Sequence, residues 1–137
     1  MALAQLVRQD IGRILRFGVV GTAGFIADAA ILLLLIDRFG ANPIAARFVS
    51  APVAILLTFA LNRAWSFSDL TQPSVFRSFV SYLSVQGVGF LVNLLVYSLV
   101  VWIAPMPAGA LAFASAVAMV LNYLGSRYWA FREIGTD

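Results

Sequence analysis

Asp28 lies inside an apolar run from Phe17 to Ile36, and its type and place demand a partner. It stands about 12 residues into that run, roughly 18 Å along a helix at 1.5 Å per residue. An ionised Asp near the centre of a bilayer costs at least about 2.5–3.5 kcal/mol, so it must face protein, water or a ligand. Gly21 and Gly24 share its helix face, where small residues let another helix or a ligand come close. A later run carries Gln86, Gly89, Asn93 and Tyr97 at the same spacing. Hydrogen bonding between helices is the alternative to a ligand role. For Gln86 and Asn93 the two readings weigh equally. For Asp28 a functional role is favoured, because a charge is a costly means of holding helices together.

Two elements of the form Arg-x-Trp-x-Phe follow apolar runs: Arg63, Trp65, Phe67 and Arg127, Trp129, Phe131. Taken alone, each reads as an interfacial anchor, with aromatic rings at headgroup level and Arg reaching lipid phosphate. Their repetition after polar-striped helices raises an anionic-ligand role, to which bidentate guanidinium groups are suited. Ser115, Asn122 and Ser126 share a face of one helix, and Thr58 and Asn62 a face of another. Ser115 and Thr58 read as structural, whereas Asn62 and Asn122 stay open. Arg47 precedes Arg63 by about 16 residues, roughly 24 Å at helical rise. It could pair with Asp28 or Asp37, or hold a phosphate; structural pairing is favoured. No nucleophile–base pair, metal cluster or phosphate loop followed by Lys is visible, so an enzyme, a metal and a cofactor are not expected.

The elements that must position these residues are membrane helices. Of 137 residues 62% are hydrophobic and 11% charged, against about a quarter charged in soluble domains. Cys and His are absent, which removes disulfide and thiol chemistry and the commonest metal and proton-shuttle ligands. All nine basic residues are Arg, and the pI near 10 reads as a topology signal rather than a nucleic-acid footprint. Four apolar stretches stand out: Phe17 to Ile36, about Ile44 to Leu61 with Pro52 expected to kink it, about Phe79 to Ile103, and about Ala108 to Leu124. All four fit the roughly 17–25 residues a bilayer core needs. Short turns at Asp37–Asn42 and Ala104–Pro107 make two hairpins, separated by a polar loop from Ser66 to Arg77.

Arg8, Arg13, Arg16, Arg63, Arg77, Arg127 and Arg132 fall on one side of a four-helix arrangement, and Arg38 and Arg47 on the other. The Arg-rich side, with both termini, is expected in the cytoplasm. The first 17 residues do not read as a cleavable signal peptide. Residues 1 to about 14 fit either a surface helix with Leu6, Ile11, Ile14 and Leu15 toward lipid, or a frayed tail.

The hairpins resemble each other. Gly24–Asp28 matches Gly89–Asn93, Phe48–Ala51 matches Phe113–Ala116, and, after a one-residue shift, Asn62–Phe67 matches Ser126–Phe131. On this alignment Ala112 is the counterpart of Arg47. The expected fold is therefore one all-α membrane domain over 1–137. It has four transmembrane helices in two parallel helical-hairpin repeats (about 15–68 and 77–132), related by an axis along the membrane normal.

Phe17-Gly18-Val19-Val20-Gly21, Asp28, Asn62-Arg63-Ala64-Trp65-Ser66-Phe67 and the segment from Asn122 to Phe131 resemble the GtrA-like family, over roughly residues 13 to 132. Thr58 stands where the family often has Asn, whereas the second repeat keeps Asn122. The resemblance implies a multi-pass protein of the bacterial cytoplasmic membrane that moves polyprenyl-phosphate-linked sugars, such as undecaprenyl-phosphate glucose, to the outer leaflet for polysaccharide synthesis. Under it, Arg63 and Arg127 would collect the phosphate, and Asp28, Gln86, Asn93 and Asn122 would bond sugar hydroxyls along a polar seam. Trp65 and Trp129 would border the entrance, and Arg47 would receive the phosphate on the far side. The partners implied are the lipid-linked sugar, membrane lipids, a membrane glycosyltransferase and further copies of the chain, with no nucleic acid. Two rivals remain: a non-transporting adaptor that positions a glycosyltransferase, and a small multidrug-type exporter, which usually centres on a Glu and lacks the Arg-Trp elements.

Overall fold

The structure is a computed structural model that describes residues 2–104 and 106–133; the side chains of residues 2–4, 6, 107, 108 and 111 fall outside the description. The expected lipid-facing Leu6 and the turn residue Pro105 therefore lie outside the described residues. Four long helices follow in order: α1 (Ala2–Phe39), α2 (Pro43–Leu61), α3 (Val75–Ile103) and α4 (Pro107–Gly125). Five-residue π-helical turns continue α2 over Asn62–Ser66 and α4 over Ser126–Ala130. Among the described residues, three helical stretches are long and apolar enough to cross a membrane: Val7–Phe39, Pro43–Ser66 and Val75–Ile103. α4 has 19 residues and fits the length a bilayer requires. The chain is a multi-pass membrane protein.

Local chemistry sets the helix ends. Gly40 adopts φ 61°, the left-handed conformation glycine reaches without strain, and its N–H donates to the Ile36 carbonyl at 3.1 Å. Asn42 then caps α2: its Oδ1 accepts from the Ile44 N–H at 2.9 Å, with Pro43 in the first turn where no donor is needed. Ser74 caps α3 by accepting from the Arg77 N–H at 3.4 Å. That cap starts α3 four residues before the expected Phe79, because its polar first turn reads as loop. α1 likewise begins well before Phe17, as one continuous helix rather than a separate surface helix. Ile11, Ile14 and Leu15 on it are exposed. α2 continues through Pro52, whose missing N–H leaves the Phe48 carbonyl without its helical donor.

The contacts divide the chain into two units, Met1–Ser68 and Asp69–Asp137. In the first, α1 packs antiparallel to α2, shown by the pairs Asp28–Arg47, Gly24–Thr58 and Arg16–Trp65. In the second, Asn93–Ser115, Gly89–Asn122 and Tyr82–Phe131 mark the same arrangement of α3 and α4. Each hairpin buries a row of small residues on its second helix and exposes many large ones. Ala46, Ser50 and Ala54 recur every fourth residue inside the first, and Ala110, Ala114 and Ala118 inside the second. Leu33, Phe48, Phe90 and Trp102 point outward. Hydrocarbon solvates these large side chains as well as a core would, so close backbone approach along a small-residue row holds the helices instead.

That row corrects the sequence alignment. Ala46, Ser50, Ala54 and Thr58 correspond to Ala110, Ala114, Ala118 and Asn122, each 64 residues later, whereas Gly24 and Gly89 differ by 65. The one-residue shift therefore falls in the hairpin turn and not after α2. By this register Leu111, not Ala112, occupies the position of Arg47. Ser50 and Ser115 also part company: Ser50 is buried, and Ser115 lies on an exposed row.

Candidate functional site

In the first hairpin the close-approach point is Gly24. A Cβ there would collide with Thr58 Cγ2, so α1 needs glycine to reach α2. A Cβ at Gly21 would meet nothing within 4 Å, so within this hairpin Gly21 makes no close approach to α2. One turn beyond Gly24 toward the hairpin turn, Asp28 accepts a hydrogen bond and ion pair at Oδ2 from Arg47 Nη1. Arg47 thus takes Asp28 and not Asp37 as its partner. The Asp28 side chain is 16% exposed and that of Arg47 56%. Asp28 Oδ1 is buried without a hydrogen-bond partner among the described residues, as is Ser50 Oγ. The pair cancels two charges locally, which is how an acid persists among apolar helices.

In the second hairpin the close-approach point is Gly89. A Cβ at Gly89 would strike the Asn122 carboxamide, so Asn122 fills the space over Gly89 as Thr58 does over Gly24. Asn122 Oδ1 has no hydrogen-bond partner among the described residues. One turn further, Asn93 Nδ2 donates to Ser115 Oγ at 3.3 Å. Gln86 is half-buried on α3.

The Arg-x-Trp-x-Phe elements form the π-helical turns. The Phe67 N–H donates to the Asn62 carbonyl at 2.9 Å, and the Phe131 N–H to that of Ser126 at 2.8 Å. Bonds across five residues admit one extra residue per turn and re-aim the side chains that follow. Trp65 and Trp129 come out exposed, while Phe67 and Phe131 are each 0% exposed. The reading of these Phe residues as interfacial anchors is thereby corrected. Phe67 packs on Phe17 with ring centroids 6.1 Å apart, and Phe131 on Tyr82 at 5.8 Å. These tilted aromatic contacts lock each π-helical turn to the first helix of its hairpin.

Arg63 and Arg127 are half-buried within these turns. The Arg127 guanidinium carbon lies 5.1 Å from the Tyr128 ring centroid, and its Nε is buried with no hydrogen-bond acceptor among the described residues. A guanidinium donor lacking an acceptor suits an incoming anion. The site residues thus fall into separate groups. Asp28 joins Arg47; Asn93 joins Ser115; Asn122 stands over Gly89; and Arg63 with Trp65, and Arg127 with Trp129, occupy the open ends of the hairpins.

The N-terminal arginines do more than sequence reading assigned to them. Arg16 Nη1 donates to the Trp65 carbonyl at 2.9 Å, bracing the first π-helical turn. Arg13, 7% exposed, pairs with Asp10 at 2.7 Å. Asn62 is buried and accepts from Ser66 Oγ at 2.7 Å, which makes it a support of the turn. The i,i+3 spacing of Asp10 and Arg13 was a legible signal. A bond to a backbone carbonyl 49 residues away leaves no trace in sequence.

Comparison with known proteins agrees with a transmembrane domain. The chain is 28% identical over 125 residues to a dolichol-phosphate mannosyltransferase of Pyrococcus furiosus, an alignment covering 91% of this chain and 34% of that protein. The chain therefore spans about a third of the length of this curated relative. Residues 16–131 match the GtrA/DPMS transmembrane domain. With most of its length accounted for in this way, the chain belongs to the GtrA/DPMS transmembrane domain family.

Proposed function

We propose that this protein moves a polyprenyl-phosphate-linked monosaccharide, such as undecaprenyl-phosphate glucose, across a bacterial cytoplasmic membrane. The family match and a relative named for dolichol-phosphate mannose transfer support the class of substrate, a sugar on an isoprenoid phosphate. The observation that carries the translocation reading is the placement of guanidinium groups toward both ends of one apolar hairpin. Arg63 lies in the π-helical turn, and Arg47 lies beside Asp28, roughly 24 Å away along the helix. A phosphate leaving one cation needs another to receive it, because an unpaired anion in hydrocarbon is costly.

In this reading both hairpins cross in the same sense with the termini in the cytoplasm. Arg63 and Arg127 collect the phosphate there, bordered by Trp65 and Trp129, which stack on the sugar. Asp28, Gln86, Asn93 and Asn122 supply hydrogen bonds to hydroxyls, and Arg47 receives the phosphate. The chain acts without chemistry on its substrate, driven by the substrate gradient or the membrane potential, and it works as a homo-oligomer. A membrane glycosyltransferase uses the delivered sugar. The test is reconstitution in vesicles with a labelled polyprenyl-phosphate glucose. Protein-dependent transfer between leaflets is expected. Its absence, with a glycosyltransferase co-purifying and no lipid retained, would establish the adaptor reading instead.

A further inference from the structure

We infer that α1 pairs in parallel with α1 of a second copy of this chain, through the face formed by Val7, Ile11, Ile14, Gly18, Gly21 and Phe25. The inference rests on the homo-oligomer reading above and gives it a surface. Steps along this face alternate between four and three residues, the spacing of a helix pair with a seven-residue repeat. Gly18 is half-buried and the other five residues are exposed. The buried face of α1 is a different one, carrying Arg13, Phe17, Val20 and Gly24.

Residue types along the face change with the solvent. α1 has 38 residues, whereas α2 with its π-helical turn has 24, and Arg16 bonds to Trp65 near the end of that turn. The hairpin alone, roughly 36 Å at helical rise, spans the ~30 Å hydrocarbon core. The part of α1 before Arg16 runs roughly 20 Å past the hairpin's open end. There Val7, Ile11 and Ile14 present an apolar row to water, which drives helices together. Within the bilayer close packing must hold a helix pair instead, and there the face carries Gly18 and Gly21. A Cβ at Gly21 would meet nothing within 4 Å, so its own hairpin supplies no reason for glycine, whereas a second α1 supplies one.

A second copy is the occupant that fits both parts. A soluble partner would reach residues 7–14 and leave 18–25 uncovered. Lipid would cover residues 18–25 and leave 7–14 in water. The covering helix must cross the membrane and continue out of it in the same register, and another α1 inserted in the same sense does so by construction. Charge agrees. The exposed Arg8 and the half-exposed Asp10 flank the face on opposite sides. Twofold pairing therefore sets the Arg8 flank of each copy beside the Asp10 flank of the other.

The test uses the full chain in lipid vesicles. It contains no Cys, so single introduced thiols report contact. Oxidation should link Ile14→Cys chains into covalent dimers at least about tenfold more than Gln9→Cys chains, whose position is exposed on the far side of α1. Dimer dissociation, read by energy transfer between labelled copies, should weaken at least about tenfold in Ile11→Asn/Ile14→Asn, because burial of one large aliphatic side chain is already worth about that factor. Gly21→Leu should weaken it comparably, and its side chain enters open space in the single hairpin, so the fold is kept. Dimers that cross-link at Gln9→Cys and not at Ile14→Cys, or that persist unchanged in either variant, would overturn this interface and leave the homo-oligomer reading. A monomer at every dilution would overturn both. Ile14→Cys dimers that transfer no lipid-linked sugar would sink the translocation reading alone.

Discussion

Arg47 on α2 donates from Nη1 to Oδ2 of Asp28 on α1, an ion pair that joins two apolar helices. Asp28 lies 11 residues before the end of α1, and Arg47 four residues after the start of α2. At helical rise those are depths of roughly 16 Å and 6 Å from the turn end. The guanidinium is thus drawn inward to the carboxylate instead of snorkelling out to water. That posture makes the two partners unequal.

Removing Arg47 strands a mostly buried carboxylate, whereas removing Asp28 frees an Arg that can turn toward the membrane boundary. Arg47→Ala should therefore destabilise the protein by about 2.5–3.5 kcal/mol, the range for a charge at helix centre, and Asp28→Ala by less. Adding Asp28→Asn to Arg47→Ala should recover part of the loss. Unfolding in bicelles would check this; equal losses for both single variants would contradict it.

The glycines make a sharper contrast. Gly21→Ala should be neutral, or stabilise by up to about 1 kcal/mol, because its Cβ enters open space and alanine favours the helix. Gly24→Ala should cost about 1–3 kcal/mol, because its Cβ meets Thr58 Cγ2. Thr58→Ser deletes that methyl and should rescue Gly24→Ala without rescuing Gly89→Ala, whose obstacle is Asn122. Thermal unfolding of the single and double variants gives the coupling directly.

The aromatic clamps should be the costliest sites to truncate. Phe131→Ala empties a fully buried position against Tyr82 and should cost about 3–5 kcal/mol, with Phe67→Ala against Phe17 similar. Trp129→Ala, at an exposed ring, should cost little. A comparable loss for Trp129→Ala and Phe131→Ala, measured by thermal unfolding, would refute the assignment of Phe as clamp and Trp as surface.

Much of the hairpin architecture was legible in sequence, because apolar length and turn residues such as Gly40 and Asn42-Pro43 act locally. Asp28 was legible too, since a charge in an apolar run must find a partner and Arg47 was within reach. The buried roles of Phe67 and Phe131 were not. They depend on π-helical turns, which arise when tertiary packing favours one extra residue per hydrogen-bonded ring, and no side-chain period announces that. The Ala46–Ser50–Ala54 row was hidden for a related reason. In a bilayer the large residues face outward, so hydrophobicity alone cannot tell which side of α2 is buried. The repeated Phe and Ser of Phe48–Ala51 and Phe113–Ala116 suggested an alignment that is one residue out of register with that row.

The most direct test of the central claim is leaflet transfer of a labelled polyprenyl-phosphate glucose in vesicles containing the purified chain, compared between the native sequence and Arg63→Ala/Arg127→Ala. The account predicts transfer by the native chain and at least about a tenfold loss in the double variant, with helicity retained, since each Arg supplies a charge-assisted contact to the phosphate. Undiminished transfer by a folded double variant would contradict it.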